Sequence, residues 1–412
     1  MVRSPLLSLA AAAAVALATG AGVTGAQAAT PGIWQVLRSV SPDPTKVDNS
    51  SFAGVSMSSA SDGWAVGNFM NPQAVNQPLA EHWNGHAWRI TAAPPLPKAG
   101  ASGVLSGVDE VVGPANVWAV GSFTLAAGGT RTLIEHFTGT SWGVVPSPDP
   151  FTGPGADDEL NAVGGTSASD LWAVGFDLEG NIAQGLFAHF NGTTWQAAPP
   201  LAAAGIPDFV SVSAVSTNDV WAVGTSLSVN DSTLAAHWDG HTWQVVTTPC
   251  LNGTKIILQE GACRQSNNEL TGVTAVATND VWASGFETEN SGFHVPYVLH
   301  WDGKTWSLTK TPNPGQGQGL AGGSLFGITA VSASDVWAVG HSQDNTGTIT
   351  TLTEQFNGSA WSLVRSPDPG LLGNDTLFGV AGAGGRQLFA VGGDEQSGQC
   401  CIRTLALRTT SG

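Results

Sequence analysis

Leu325-Phe326-Gly327-Ile328-Thr329-Ala330-Val331-Ser332-Ala333-Ser334-Asp335-Val336-Trp337-Ala338-Val339-Gly340 is the stretch whose reading decides the fold. Two apolar runs, 325–331 and 336–340, flank a short polar turn, the pattern of an antiparallel hairpin. After a polar loop, 351–356 reads as a third strand, and Asn357-Gly358 is a hairpin turn. A fourth strand, 361–364, is stopped by Ser366-Pro367-Asp368-Pro369, because proline cannot donate to a ladder.

Outward from this unit the same phrase recurs. Its turn and second strand read Ser61-Asp62-Gly63-Trp64-Ala65-Val66-Gly67 at first appearance. They return at Trp118, Trp172, Trp221, Trp282 and Trp337, and in weaker form at Phe389. The fourth-strand tryptophan recurs at Trp88, Trp142, Trp195, Trp243, Trp306 and Trp361. A period of roughly fifty residues belongs to repeat architectures. Four antiparallel strands per repeat, closed into a ring, predict an all-β, seven-bladed β-propeller. The seventh repeat lacks a fourth strand, and Ile33-Trp34-Gln35-Val36-Leu37-Arg38-Ser39 copies the missing piece. The last blade is therefore expected to be closed by the N-terminal strand, which leaves few exposed strand edges.

Residues 1–28 read as a signal peptide: Arg3, an apolar run over 6–18, then Ala26-Gln27-Ala28 as a cleavage site. The run is too short to span a bilayer. A secreted, extracellular protein is expected, with 29–412 forming a single propeller domain, monomeric and without a membrane span. The chain holds 14 basic and 31 acidic residues. Without Arg3 the balance is 13 against 31, a formal charge of −18. Phosphate backbones and anionic membranes would repel such a chain, which argues against nucleic acid as a partner. Four cysteines in an exported chain favour disulfides. Pairing Cys250 with Cys263 would close a loop of about 14 residues, worth roughly 3 kcal/mol. Cys400 and Cys401 are adjacent, and their pairing stays open.

Most distinctive residues sit at repeat positions and read as structure. All 16 tryptophans do so, where large aromatics suit the space between neighbouring blades. His82, His136, His189, His237 and His300 share one third-strand position. Spread around a ring, they cannot meet at one metal, and each is expected to hydrogen-bond a turn or backbone group. The Asp or Asn before each second strand is a turn residue.

Variation is the better guide to function. The connections between second and third strands, and between one repeat and the next, vary in length and emerge on one face. Loops held by a rigid scaffold carry binding residues. On that face the residue entering the first strand is Glu159, Asp208 and Glu269 in three consecutive repeats. These acids, with Asp158 and Asn268 beside them, are the candidate ligand-binding residues at the mouth of the axial channel. Carboxylate and amide oxygens suit Ca²⁺. No other cofactor is expected, and no catalytic residue is assigned. No Ser-His-Asp order, Cys-His pair, phosphate loop or zinc spacing is present.

The phrases Asp219-Val220-Trp221-Ala222-Val223-Gly224 and His300-Trp301-Asp302-Gly303-Lys304-Thr305-Trp306 resemble the blades of secreted actinobacterial β-propeller repeat proteins. More distantly the repeats are similar to kelch and galactose-oxidase-like blades, from which they differ in having one glycine after the second strand. The resemblance covers residues 32–412 and implies the fold while carrying little about activity. Three functions follow. The first is a non-catalytic module binding an extracellular polysaccharide, peptide or protein. The second is a glycan-cleaving enzyme using the carboxylates at the mouth, since paired acids do that chemistry. The third is a passive envelope protein.

Overall fold

The computed structural model describes residues 34–409 except 41, 43–48, 99–100, 111–112, 127, 152, 154, 181, 202–204, 228–231, 253–254, 258–266, 290, 315–321, 371–373, 386 and 396–401. The expected leader lies outside the described residues, as do Cys263, Cys400 and Cys401. Cys250 opens a two-stranded hairpin, Cys250–Asn252 with Lys255–Ile257, and no cysteine pair is found among the described residues. No helix among them is long and apolar enough to cross a membrane.

The repeat quoted above folds as Gly322–Ser332, Asp335–Gln343, Ile349–Phe356 and Trp361–Leu363, hydrogen-bonded in that order. Each strand pairs antiparallel with the next. The apolar second strand is buried on both faces and lies mid-sheet, while the short fourth strand is exposed beyond its tryptophan and lies outermost. The first strands of neighbouring sheets meet around the axis. The chain is thus all-β, with four-stranded antiparallel blades in a propeller.

The expected seven separate blades are not what forms. Five sheets stand as separate four-stranded blades, and residues 102–197 make one eight-stranded sheet. The fusion has a local cause. Thr130, which opens a third strand, pairs in parallel with Asp157, which opens the next first strand. The Thr130 N–H donates to the Ala156 carbonyl (2.9 Å) and to Asp157 Oδ1 (3.1 Å). Arg131 binds across the same seam, donating Nη1 to the Thr130 and Ala156 carbonyls at 2.7 and 2.9 Å.

The N-terminal segment completes the last blade. Trp34–Leu37 pairs antiparallel with Ile402–Thr409, Trp34 opposite Thr409, in a sheet with Thr376–Gly382 and Leu388–Glu395. Its register copies the other blades down to one hydroxyl pair. Ser39 Oγ meets Thr404 Oγ1 at 2.8 Å, as Ser147 meets Thr132 at 2.6 Å and Ser366 meets Thr351 at 2.7 Å.

Tryptophans join one blade to the next. Each second-strand ring meets the fourth-strand ring of the following sheet edge-on: Trp64–Trp142 at 5.1 Å, Trp172–Trp243 at 5.1 Å, Trp221–Trp306 at 5.3 Å and Trp337–Trp34 at 5.8 Å. Phe389 closes the circuit against Trp83 at 5.4 Å. The imidazoles lie on the same rings, with His136 over Trp118 at 3.9 Å and His300 over Trp282 at 4.0 Å. Each is tied to the turn of its own repeat: His82 to Asp62 (2.6 Å), His136 to Asn116 (2.6 Å), His189 to Asp170 (2.7 Å), His237 to Asp219 (2.8 Å) and His300 to Asp280 (2.8 Å). Where Gln355 replaces histidine, its Nε2 donates to Asp335 at 2.8 Å.

Candidate functional site

The channel mouth is shaped by one irregularity repeated in every first strand. A register shift separates Phe52 from Gly54, Leu105 from Gly107, Leu160 from Ala162, Phe209 from Ser211, Leu270 from Gly272, Leu325 from Gly327 and Leu377 from Gly379. A bulge sharpens local twist and re-aims the extra residue. Here the extra residues are Ala53, Ser106, Asn161, Val210, Thr271, Phe326 and Phe378, all half-buried. The bulge also explains the glycine that ends each Trp-Ala-Val-Gly phrase. A Cβ on Gly175, Gly224 or Gly340 would overlap the carbonyl oxygen of Glu159, Asp208 or Ser324.

Two residues before each bulge stand the entering residues. Glu159 shares a rung with Phe176, Asp208 with Thr225, Glu269 with Phe286, and Ser324 with His341. Partners on one rung project to the same face of a sheet. In three consecutive repeats this position is acidic. Glu159 is 9 % exposed and Asp208 5 %. Burial, then the nearby Asp208 and Asp157, push the Glu159 carboxyl up to about 8. The Glu159 carboxylate accepts no hydrogen bond among the described residues. Asp208 is held in place, because Asn161 donates Nδ2 to its Oδ1 (2.8 Å) and to the Phe209 carbonyl (3.0 Å). Half-buried Glu269 follows in the next blade, its carbonyl accepting the Tyr297 hydroxyl at 3.0 Å.

The opposite wall is aromatic and imidazole. Phe286 stacks on His294 at 4.5 Å and meets Phe326 edge-on at 6.0 Å. Phe326 in turn contacts His341 at 5.3 Å and Phe378 at 5.5 Å. His294 Nδ1 pairs with Ser324 Oγ at 2.7 Å, and His341 Nδ1 faces Thr376 Oγ1 at 3.4 Å. Burial, helped by His294, pulls His341 down to about 4, and burial also lowers His294. Burial thus biases both rings toward the neutral form. The two walls meet at the Glu269–Phe286 rung.

The candidate residues read from sequence divide sharply. Glu159, Asp208 and Glu269 face the mouth, whereas Asp158 and Asn268 turn the other way, since alternate residues of a strand point to opposite faces. Asp158 is fully buried on a rung with Asp177, against the preceding half of the eight-stranded sheet. Burial, with Asp177 and Asp149, raises it to about 7, against the opposing pull of Arg131. Asn268 is likewise buried, on a rung with Glu287. Among the described residues no group of three or more His, Cys, Asp or Glu side chains is placed to hold a metal ion. Asn161, Phe286, Phe326 and Phe378 belong to the mouth, yet their sequence positions resemble ordinary strand residues. The missing signal was the bulge, visible in sequence only as a small residue two places after each conserved apolar one.

No protein-family model and no curated protein matches the chain. Among solved structures, YCF48 bound to D1 peptide is similar over 93% of this chain and 99% of that chain, with 15% identity and a TM-score of 0.53. A protein of unknown function from Dyadobacter fermentans covers 93% of this chain and 100% of its own, at 11% identity and a TM-score of 0.49. A Hadza microbial sialidase is similar over 76% of this chain and 66% of its own, at 11% identity and a TM-score of 0.43. The first of these likenesses supports the β-propeller fold. The narrower resemblances to actinobacterial repeats and to kelch blades gain no support from them.

Proposed function

We propose that this chain is an exported, non-catalytic binding module whose channel mouth takes a positively charged segment of a protein or peptide. One observation carries the reading. Glu159 is a carboxyl 9 % exposed, facing two further acids, with no hydrogen-bond donor among the described residues. A buried acid in that setting stays protonated until a cation arrives. An incoming ammonium or guanidinium supplies the missing donor and the opposite charge, and expels the proton. YCF48, a propeller of similar fold, has been seen with a peptide bound, so a protein ligand suits this architecture. Export rests on the leader-like segment 1–28.

The linkage has a definite sign. Asp157 and Asp208 are the acids that raise Glu159, and a bound cation lowers it. Binding should therefore strengthen as pH rises from 6 through 8 and release a proton near pH 7. A displayed random-peptide library, selected on the whole protein, tests the reading. Lys- or Arg-rich peptides should be enriched, and the Glu159→Gln, Asp208→Asn double variant should lose them with its fold intact. Enrichment of neutral or acidic peptides, or selective binding to a polysaccharide array alone, would overturn it.

A further inference from the structure

The acidic wall accounts for half of the mouth. The other half has a feature that cation binding leaves unused: a continuous aromatic surface running across three blades. Phe286, Phe326 and Phe378 form an unbroken series of ring contacts at 6.0 and 5.5 Å. Phe326 and Phe378 are bulge residues and remain half-buried, although the apolar residue before each, Leu325 and Leu377, is fully buried. In the other blades the bulge position holds Ala53, Ser106, Asn161, Val210 or Thr271, so large rings are confined to one side. His294 and His341 back this surface, their Nδ1 atoms facing the hydroxyls of Ser324 and Thr376. An apolar side chain can settle against the rings of Phe326 and Phe378 without burying a charged group.

Resting on the reading of the mouth as a cation-binding site, we infer that its ligand is a peptide segment that pairs a Lys or Arg with a nearby aromatic or large aliphatic side chain, the first on Glu159 and Asp208 and the second on Phe326 and Phe378. The Glu269–Phe286 rung places the two walls side by side, since rung partners have Cβ atoms about 5 Å apart. An extended peptide, rising roughly 3.3 Å per residue, lying along this junction would run from the acidic wall to the aromatic one. The charge would give orientation and the rings would give affinity, a division expected of pockets with few placed polar groups.

Calorimetry with capped peptides on the whole protein separates the two walls. The probes are Ac-Gly-Lys-Phe-Gly-NH2 and Ac-Gly-Lys-Ala-Phe-Gly-NH2, each against its Phe→Ala and Lys→Ala counterparts. At least one Lys/Phe probe should bind about 10-fold tighter than both of its counterparts, a factor worth about 1.4 kcal/mol. Phe326→Ala should remove the advantage of Phe over Ala and leave the Lys/Ala peptide unchanged. Phe378→Leu, a smaller disturbance, should reduce that advantage. Equal binding of the Lys/Phe and Lys/Ala peptides would overturn the aromatic half while leaving the cation reading intact. Binding of Ala/Phe peptides alone, or of no peptide in either set, would overturn both.

Discussion

The two ends of the propeller obey different rules. At the turn end, five imidazoles repeat one geometry, bonding an Asp or Asn at 2.6–2.8 Å while lying against a tryptophan ring. At the mouth, equivalent positions hold Ser51, Val104, Glu159, Asp208, Glu269, Ser324 and Thr376, and no two consecutive blades agree. Uniformity follows from a shared mechanical task, because every blade must lock to its neighbour through the same ring contacts. Divergence means that the blades have been released from that task and can take separate roles around one opening. Repetition therefore marks the scaffold, and asymmetry marks the site.

That contrast can be broken hardest at the bulge, where scaffold and mouth share one residue. Gly340→Ala drives a Cβ into the Ser324 carbonyl and should cost about 4 kcal/mol, measured by denaturant unfolding. Gly143→Ala, with nothing within 4 Å of the added Cβ, is the matched control and should be neutral. Trp64→Ala empties a space against Trp142 and Phe137 and should cost about 3–5 kcal/mol. Removing residues up to 40 strips Trp34 from Trp337 and Ser39 from Glu81 and Thr404, so the melting temperature should fall by several degrees. An unchanged melting temperature would show that this strand is dispensable to closure.

Smaller effects sharpen the comparison. Glu135 is fully buried with neither carboxylate oxygen hydrogen-bonded, and burial raises it to about 8. Its folded-state pKa lies above the unfolded value near 4.5, so the native state binds the extra proton and stability falls as pH rises from about 5 to 8. Glu135→Gln should match the native protein at pH 5 and exceed it at pH 9 in thermal melts. The smallest change belongs to the uniform end. His237→Gln reproduces the Gln355–Asp335 arrangement and should alter stability by less than about 0.5 kcal/mol.

Local pattern was enough to reveal the all-β class, the four strands of each repeat, the packing tryptophans, the turn-bound histidines and the borrowed N-terminal strand. Each depends on contacts whose spacing repeats along the chain: a period of two within a strand, and one repeat between blades. The positions of Glu159, Asp208 and Glu269 at the start of three consecutive first strands were legible for the same reason, because they follow by counting from the repeated second strand. Three matters belong to tertiary structure alone. The merging of two repeats into an eight-stranded sheet depends on Thr130 meeting Asp157, a single pairing between residues 27 apart with no periodic signature. The turning of Asp158 and Asn268 away from the mouth depends on the exact phase of a strand relative to its bulge, and one residue of phase exchanges the faces. The aromatic wall depends on where seven bulges fall around a ring, which brings Phe326 and Phe378 side by side across blades. Sequence carries what neighbours along the chain enforce, whereas the site is made by residues that become neighbours only when the ring closes.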